Sequence, residues 1–161
     1  MSVTIRRARQ GEAGLVLTFL RELADYEKLL HELVATEADI DAALFGDNPI
    51  LFCEIAEWQG EPVGLAVWFF NISTFSGRRG VFLEDLFVRP AHRGKGIGKA
   101  LMVHLAQQCL AHGWVRLQWA VLDWNTPSIE FYKSLGAVLM DEWTTCKVSG
   151  AALTALAQRG A

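Results

Sequence analysis

Apolar and polar residues alternate along "VTIRRA" in the two-residue rhythm of a short first strand. From Gly11 the rhythm lengthens. Val16, Phe19, Leu20 and Leu23 stand at i, i+3, i+4 and i+7, one apolar face of a helix. "TEADIDAALFGDNP" predicts a second helix, opened by Thr36 as cap and closed at Gly46, with Pro49 beyond it. "ILFCEIAEW" and "PVGLAVWFFNI" read as strands joined by a turn at Gln59 and Gly60. After the loop "STFSGRRG" come the strand "VFLEDLFV" and a glycine-rich segment opening a helix to about His112, which Gly113 ends. "VRLQWAVL" predicts a strand and "TPSIEFYKSLG" a short helix, with Thr126 as cap and Pro127 in first position, leaving the Asn125 side chain for a ligand. "EWTTCKV" predicts a last strand before a tail helix.

A hairpin of strands followed by alternating helices and strands implies an α/β (α+β) mixed sheet with helices on both faces. The 161 residues contain no repeat, linker or low-complexity tract, so one domain over 1–161 is expected.

Composition narrows the chemistry. Hydrophobic residues make up 52%, enough for a substantial core. The formal net charge of -3 argues against a nucleic-acid partner, so any basic site must be local. Three scattered cysteines without a C-x-x-C pair fit free thiols in a reducing cytoplasm. The N-terminal residues lack a signal-peptide core and no apolar run is long enough for a bilayer, so a cytoplasmic chain without membrane contact is expected. Cys109 and His112 lie at i, i+3 with no second ligand pair, and no metal is expected.

"HRGKGIGKAL" sets glycines at 94, 96 and 98 among Arg93, Lys95 and Lys99 where a helix begins. Helix-opening amides carry partial positive charge, and glycine lets a phosphate approach the main chain. A dinucleotide fingerprint fails because residue 99 is Lys, and a P-loop fails because Ala100 stands where Ser or Thr is needed. What remains is R-x-x-G-x-G after a strand, a cradle for a phosphate or pyrophosphate.

Three carboxylates sit where core residues should be. Continuing the first apolar stripe reaches Tyr26 and Glu27; either the helix has ended, or Glu27 pairs with a cation, or it meets a substrate. Glu84 and Asp85 interrupt an apolar strand and should point to opposite faces, each needing a compensating partner. An amine of pKa ~10.4 must lose a proton before it attacks, and a carboxylate, directly or through water, can receive it.

"FLRELADYEKL", "FGDNP", "FLEDLFVRPAHRGKGIG" and "AVLDWNTPSIEFYKSLGA" together resemble the GNAT acetyltransferase superfamily over nearly the whole chain. Within it they are most similar to the spermidine/spermine (diamine) branch, and especially its thialysine N-ε-acetyltransferases. The resemblance implies a GNAT fold, a mostly antiparallel sheet of about seven strands, and acetyl transfer from acetyl-CoA to a primary amine by direct attack in a ternary complex. It implies Glu84 as the amine-side base, leaving Asp85 structural, and Tyr132 as the acid that protonates the departing thiolate. Acetyl-CoA would lie on a bulged strand within Leu86, Phe87 and Val88, whose main-chain N–H meets the acetyl oxygen. Arg93, Gly94, Lys95, Gly96, Ile97, Gly98 and Lys99 would hold its pyrophosphate, with Asn125, Thr126, Pro127, Ser128 and Tyr132 completing the site. The small-molecule amine would meet Tyr26, Glu27, Glu84, Gln118, Trp119, Ala120 and Glu142. A homodimer is implied as well.

Spermidine-preferring members carry an aspartate before the "LED" strand, whereas Thr74 stands here with Arg78 and Arg79 behind it. That favours a short acceptor with its own carboxylate, such as thialysine or lysine. The alternatives are an acetyltransferase acting on a protein α-amine or lysine, and a sensor that binds acetyl-CoA without turnover. Intact Glu84 and Tyr132 argue against the sensor.

Overall fold

The computed structural model describes residues 2–160, which form two compact units, one ending at Leu122 and the other beginning at Asp123. The first unit holds five strands in the order β1 (Val3–Arg7), β2 (Phe52–Trp58), β3 (Glu61–Ser73), β4 (Arg78–Val88) and β5 (Leu117–Trp119). The first four pair antiparallel, and β5 joins β4 in parallel. The β2–β3 hairpin turns at Gln59 and Gly60, both in the left-handed region, as the turn signal predicts.

Helices cover both faces. On one, α1 (Ala13–Tyr26) buries Val16, Phe19 and Leu23 against Ile55, Leu65, Val67 and Phe87, the stripe read from the sequence. Each such side chain contributes roughly 1.5–3 kcal/mol by leaving water. Beside it, α2 (Glu37–Phe45) starts with a capping box between Thr36 and Asp39 and ends at Gly46. On the other face, α3 (Ile97–His112) packs Leu101 and Leu105 inward and ends at Gly113.

The register of β3 on β4 is broken once. Val67 pairs with Asp85 and Trp68 with Leu83, so Glu84 is the extra residue of a β-bulge. The bulge reverses the alternation. Phe82, Asp85 and Phe87 share the α1 face, opposite Phe69, Val67 and Leu65. Glu84 is left exposed at the kink.

Five strands stand where about seven are expected. "VRLQWAVL" contributes only Leu117–Trp119, because β5 finds a partner for just three residues. "EWTTCKV" forms no strand among the described residues; its residues are exposed, and alternation without a neighbouring ladder does not hold a strand. The second unit consists of α4 (Thr126–Ser134), an exposed connection, and α5 (Gly150–Ala157).

Candidate active site

Arg89 donates its amide to Val63 O at 2.9 Å. By antiparallel alternation, the amides of Asp85 and Phe87 also face β3, and those of Leu86 and Val88 face the edge that β5 does not pair. Open main-chain donors therefore lie within the expected stretch Leu86, Phe87 and Val88. The bulge itself falls earlier, at Glu84, because that is where the β3 and β4 registers disagree.

The open edge runs into the glycine segment. Gly96 is the N-cap of α3, with φ 80°, and no side chain caps the helix. A Cβ at Gly94 or Gly96 would project into open space and would be strained by the positive φ. The first turn carries no acidic residue, and Lys95 and Lys99 are exposed beside it. Uncapped amides, glycine backbone and nearby cations fit a phosphate group. Ile97 is buried and anchors the turn.

Arg93 is committed partly to the protein. Its Nε donates to Val88 O at 2.9 Å, and its guanidinium lies 4.7 Å from the Tyr26 ring centroid. It thereby ties the end of β4 to the end of α1. Lys95 Nζ lies 5.1 Å from the Trp58 ring centroid.

Glu27 is the residue that closes α1, so the helix does end there. Its half-buried carboxyl is pushed up by burial, and among the described residues no cation pairs with it. Asp85, expected to be structural, receives no side-chain donor among the described residues. Burial, then the charges of Glu84 and Glu27, push it up to about 7. Alternation from Val81 and Leu83 does not carry through Glu84, and the bulge brings Asp85 to the α1 side. Glu27, Glu84 and Asp85 thus lie near enough to one another for the first two to raise the third.

Gln118 shares the α1 face with Phe82, whereas Trp119 pairs with Leu83 on the other, so adjacent expected contacts split between faces. Ala120 follows β5 and is exposed. Arg78 and Arg79 also separate: Arg79 lies 4.7 Å from the Phe70 ring centroid, on the α3 face.

In the second unit Asn125, not Thr126, caps α4: its Oδ1 accepts from the Ser128 amide at 3.4 Å, and the residue is 6% exposed. Thr126 and Pro127 occupy the first turn, so the cap sits one residue earlier than predicted and engages the side chain expected to reach a ligand. Tyr132 lies two turns in, its ring 5.3 Å from that of Phe131. Glu142 is exposed beyond the helix.

Residues 17–137 match the acetyltransferase (GNAT) family. The chain belongs to that family. It is 39% identical to a thialysine N-epsilon-acetyltransferase of Sus scrofa, over 97% of this chain and 98% of that one. An L-ornithine N5-acetyltransferase of Arabidopsis thaliana is 26% identical over 94% of this chain and 86% of its own. Among solved structures, an integron cassette protein from the mobile metagenome of V. cholerae superposes with a TM-score of 0.81 at 31% identity, covering 99% of each chain. The chain is therefore a GNAT N-acetyltransferase with an α/β GNAT fold.

Proposed function

We propose that this acetyltransferase moves acetyl from acetyl-CoA to the terminal primary amine of a small acceptor, a short diamine or a thialysine-like amino acid. The observation that carries this is the carboxylate cluster: Glu27 and Asp85 are both pushed up and lack counter-ions among the described residues. A protonated amine supplies the missing charge. The relatives named for thialysine and for ornithine, both amino acids with a terminal amine, support the acceptor class.

In this reading Asp85 and Glu84 act as a pair. Asp85 titrates near neutrality, where a base works best, and takes the ammonium proton; exposed Glu84 passes it to solvent. The freed lone pair attacks the thioester carbonyl carbon within a ternary complex. The C–N bond forms, the C–S bond breaks, the Tyr132 hydroxyl protonates the departing thiolate, and the second proton shed by the attacking nitrogen restores the tyrosinate through solvent. Main-chain donors at Leu86 and Val88 meet the acetyl oxygen, and residues 93–99 hold the pyrophosphate. The exposed Val138, Trp143 and Leu153 of the second unit support a homodimer, and three free cysteines support a cytoplasmic setting.

The test is thiol release from acetyl-CoA by purified protein with thialysine, lysine, ornithine, a short diamine, spermidine and spermine. Short acceptors should lead in kcat/KM. Spermidine or spermine in first place overturns the acceptor class. No release above the acceptor-free rate with any of them overturns the reaction.

A further inference from the structure

We infer that Arg116, with Asn71 and Gln118, forms a subsite for the α-amino and α-carboxyl groups of an amino-acid acceptor; this rests on the function proposed above. All three lie on the α1 face of the sheet, the face that carries Asp85. Asn71 stands opposite Gly80, Phe82 pairs with Gln118, and Asn71 Nδ2 donates to Gln118 Oε1 at 3.2 Å. Arg116 precedes Gln118 by two positions, and its Nη2 donates to Ile72 O at 3.2 Å, which keeps the guanidinium beside Asn71. Among the described residues no carboxylate pairs with it.

Two details show that this corner is arranged around polar groups. Asn71 Oδ1 is buried without a hydrogen-bond partner, an acceptor that an ammonium would satisfy. Residue 80 has to be small: a Cβ there would come within 2.6 Å of Asn71 Oδ1 and 2.7 Å of Arg116 Cγ. Glycine gives Arg116 room to lie across the strand.

Length selects the acceptor. Along β3, Asn71 and Val67, the residue opposite Asp85, are four residues apart, about 14 Å at strand rise. A lysine-length molecule spans ~7–8 Å from terminal amine to carboxyl carbon, and a charged hydrogen bond at each end brings the span to about 13 Å. Arg78 stands at the level of Ser73, roughly 20 Å from Asp85, and Arg79 faces the opposite side. The carboxylate receiver is therefore Arg116, whose planar fork suits that group.

The experiment compares kcat/KM for lysine and thialysine with that for 1,5-diaminopentane, which is lysine without its carboxylate. The wild type should favour the amino acids, and Arg116→Gln should shrink that preference roughly 10–100-fold, through KM rather than kcat. Arg116→Lys should restore part of it. Calorimetric affinity for acetyl-CoA within about twofold of wild type certifies the fold of each variant. A preference unchanged in a folded Arg116→Gln, or a loss shared equally by diaminopentane, overturns the subsite. Equal wild-type use of all three amines overturns the subsite while the acetyltransferase reading stands. Turnover of none of them overturns both.

Discussion

Glu54 and Asp85 are carboxylates on two strands of one sheet, β2 and β4, with β3 between them, and the fold treats them oppositely. Glu54, 2% exposed on the α3 face, receives Arg7 Nε at 2.9 Å and Trp68 Nε1 at 3.3 Å, with His104 Nε2 at 3.6 Å. Asp85, half-buried on the α1 face, receives no such donor among the described residues, and the charges of Glu84 and Glu27 act on it. A charge taken from water must be compensated, and a shift in pKa is the alternative. Glu54 is compensated by the chain itself. Asp85 is shifted instead.

The comparison breaks most visibly in activity. Asp85→Asn should lower kcat/KM on the order of 10²–10⁴-fold, whereas Glu54→Gln should leave it within about fivefold once the protein is folded. Tyr132→Phe should lower kcat by a comparable factor, roughly 10²–10⁴, with acetyl-CoA affinity unchanged. Steady-state thiol release measures all three, and a slow Glu54→Gln beside a normal Asp85→Asn would reverse the roles.

A smaller effect separates the anion end of the site from its cation end. Gly96→Val should weaken acetyl-CoA binding roughly 100-fold by strain and obstruction at the α3 N-terminus, leaving the carboxylate cluster intact. Isothermal titration checks this, and unchanged affinity in a folded variant would remove the segment from the site.

Stability reverses the order of the two carboxylates. Glu54→Gln should cost about 1–3 kcal/mol in denaturant unfolding, moderated because Arg7 is half exposed and can rehydrate. Asp85→Asn should stabilise. The folded-state pKa of Asp85 is raised to about 7, so its contribution is fully favourable below its unfolded value and is lost as pH rises through about 7. Relative to wild type, the Asn variant should therefore gain a few degrees in Tm at about pH 8 and little at about pH 4. A gain of equal size at both ends would mean that Asp85 ionises normally.

Much of this was legible beforehand. The period of Val16, Phe19 and Leu23 identified the α1 core face, and the glycine segment identified the uncapped α3 N-terminus. Both signals are local. Arg116 and Gln118 alternate within "VRLQWAVL" and could have been paired on one face, but nothing in that stretch shows that Asn71 and Gly80 stand beside them. The α4 cap was misplaced by one residue because Asn125 and Thr126 are both good cappers, and only the backbone reveals which one turns in.

By itself the sequence determined the order of elements, the family and the carboxylates available for chemistry, because periodicity, turn residues and motif spacing are properties of adjacent positions. The tertiary structure alone decided which face of the sheet each carboxylate joins. A strand's alternation is local, but its register against a neighbour is not. The extra residue at Glu84 exists only relative to β3, and it carries Asp85 to the α1 face. Desolvation is likewise a sum over residues distant in the chain, and so Glu54 and Asp85, alike in chemistry, ended with different partners.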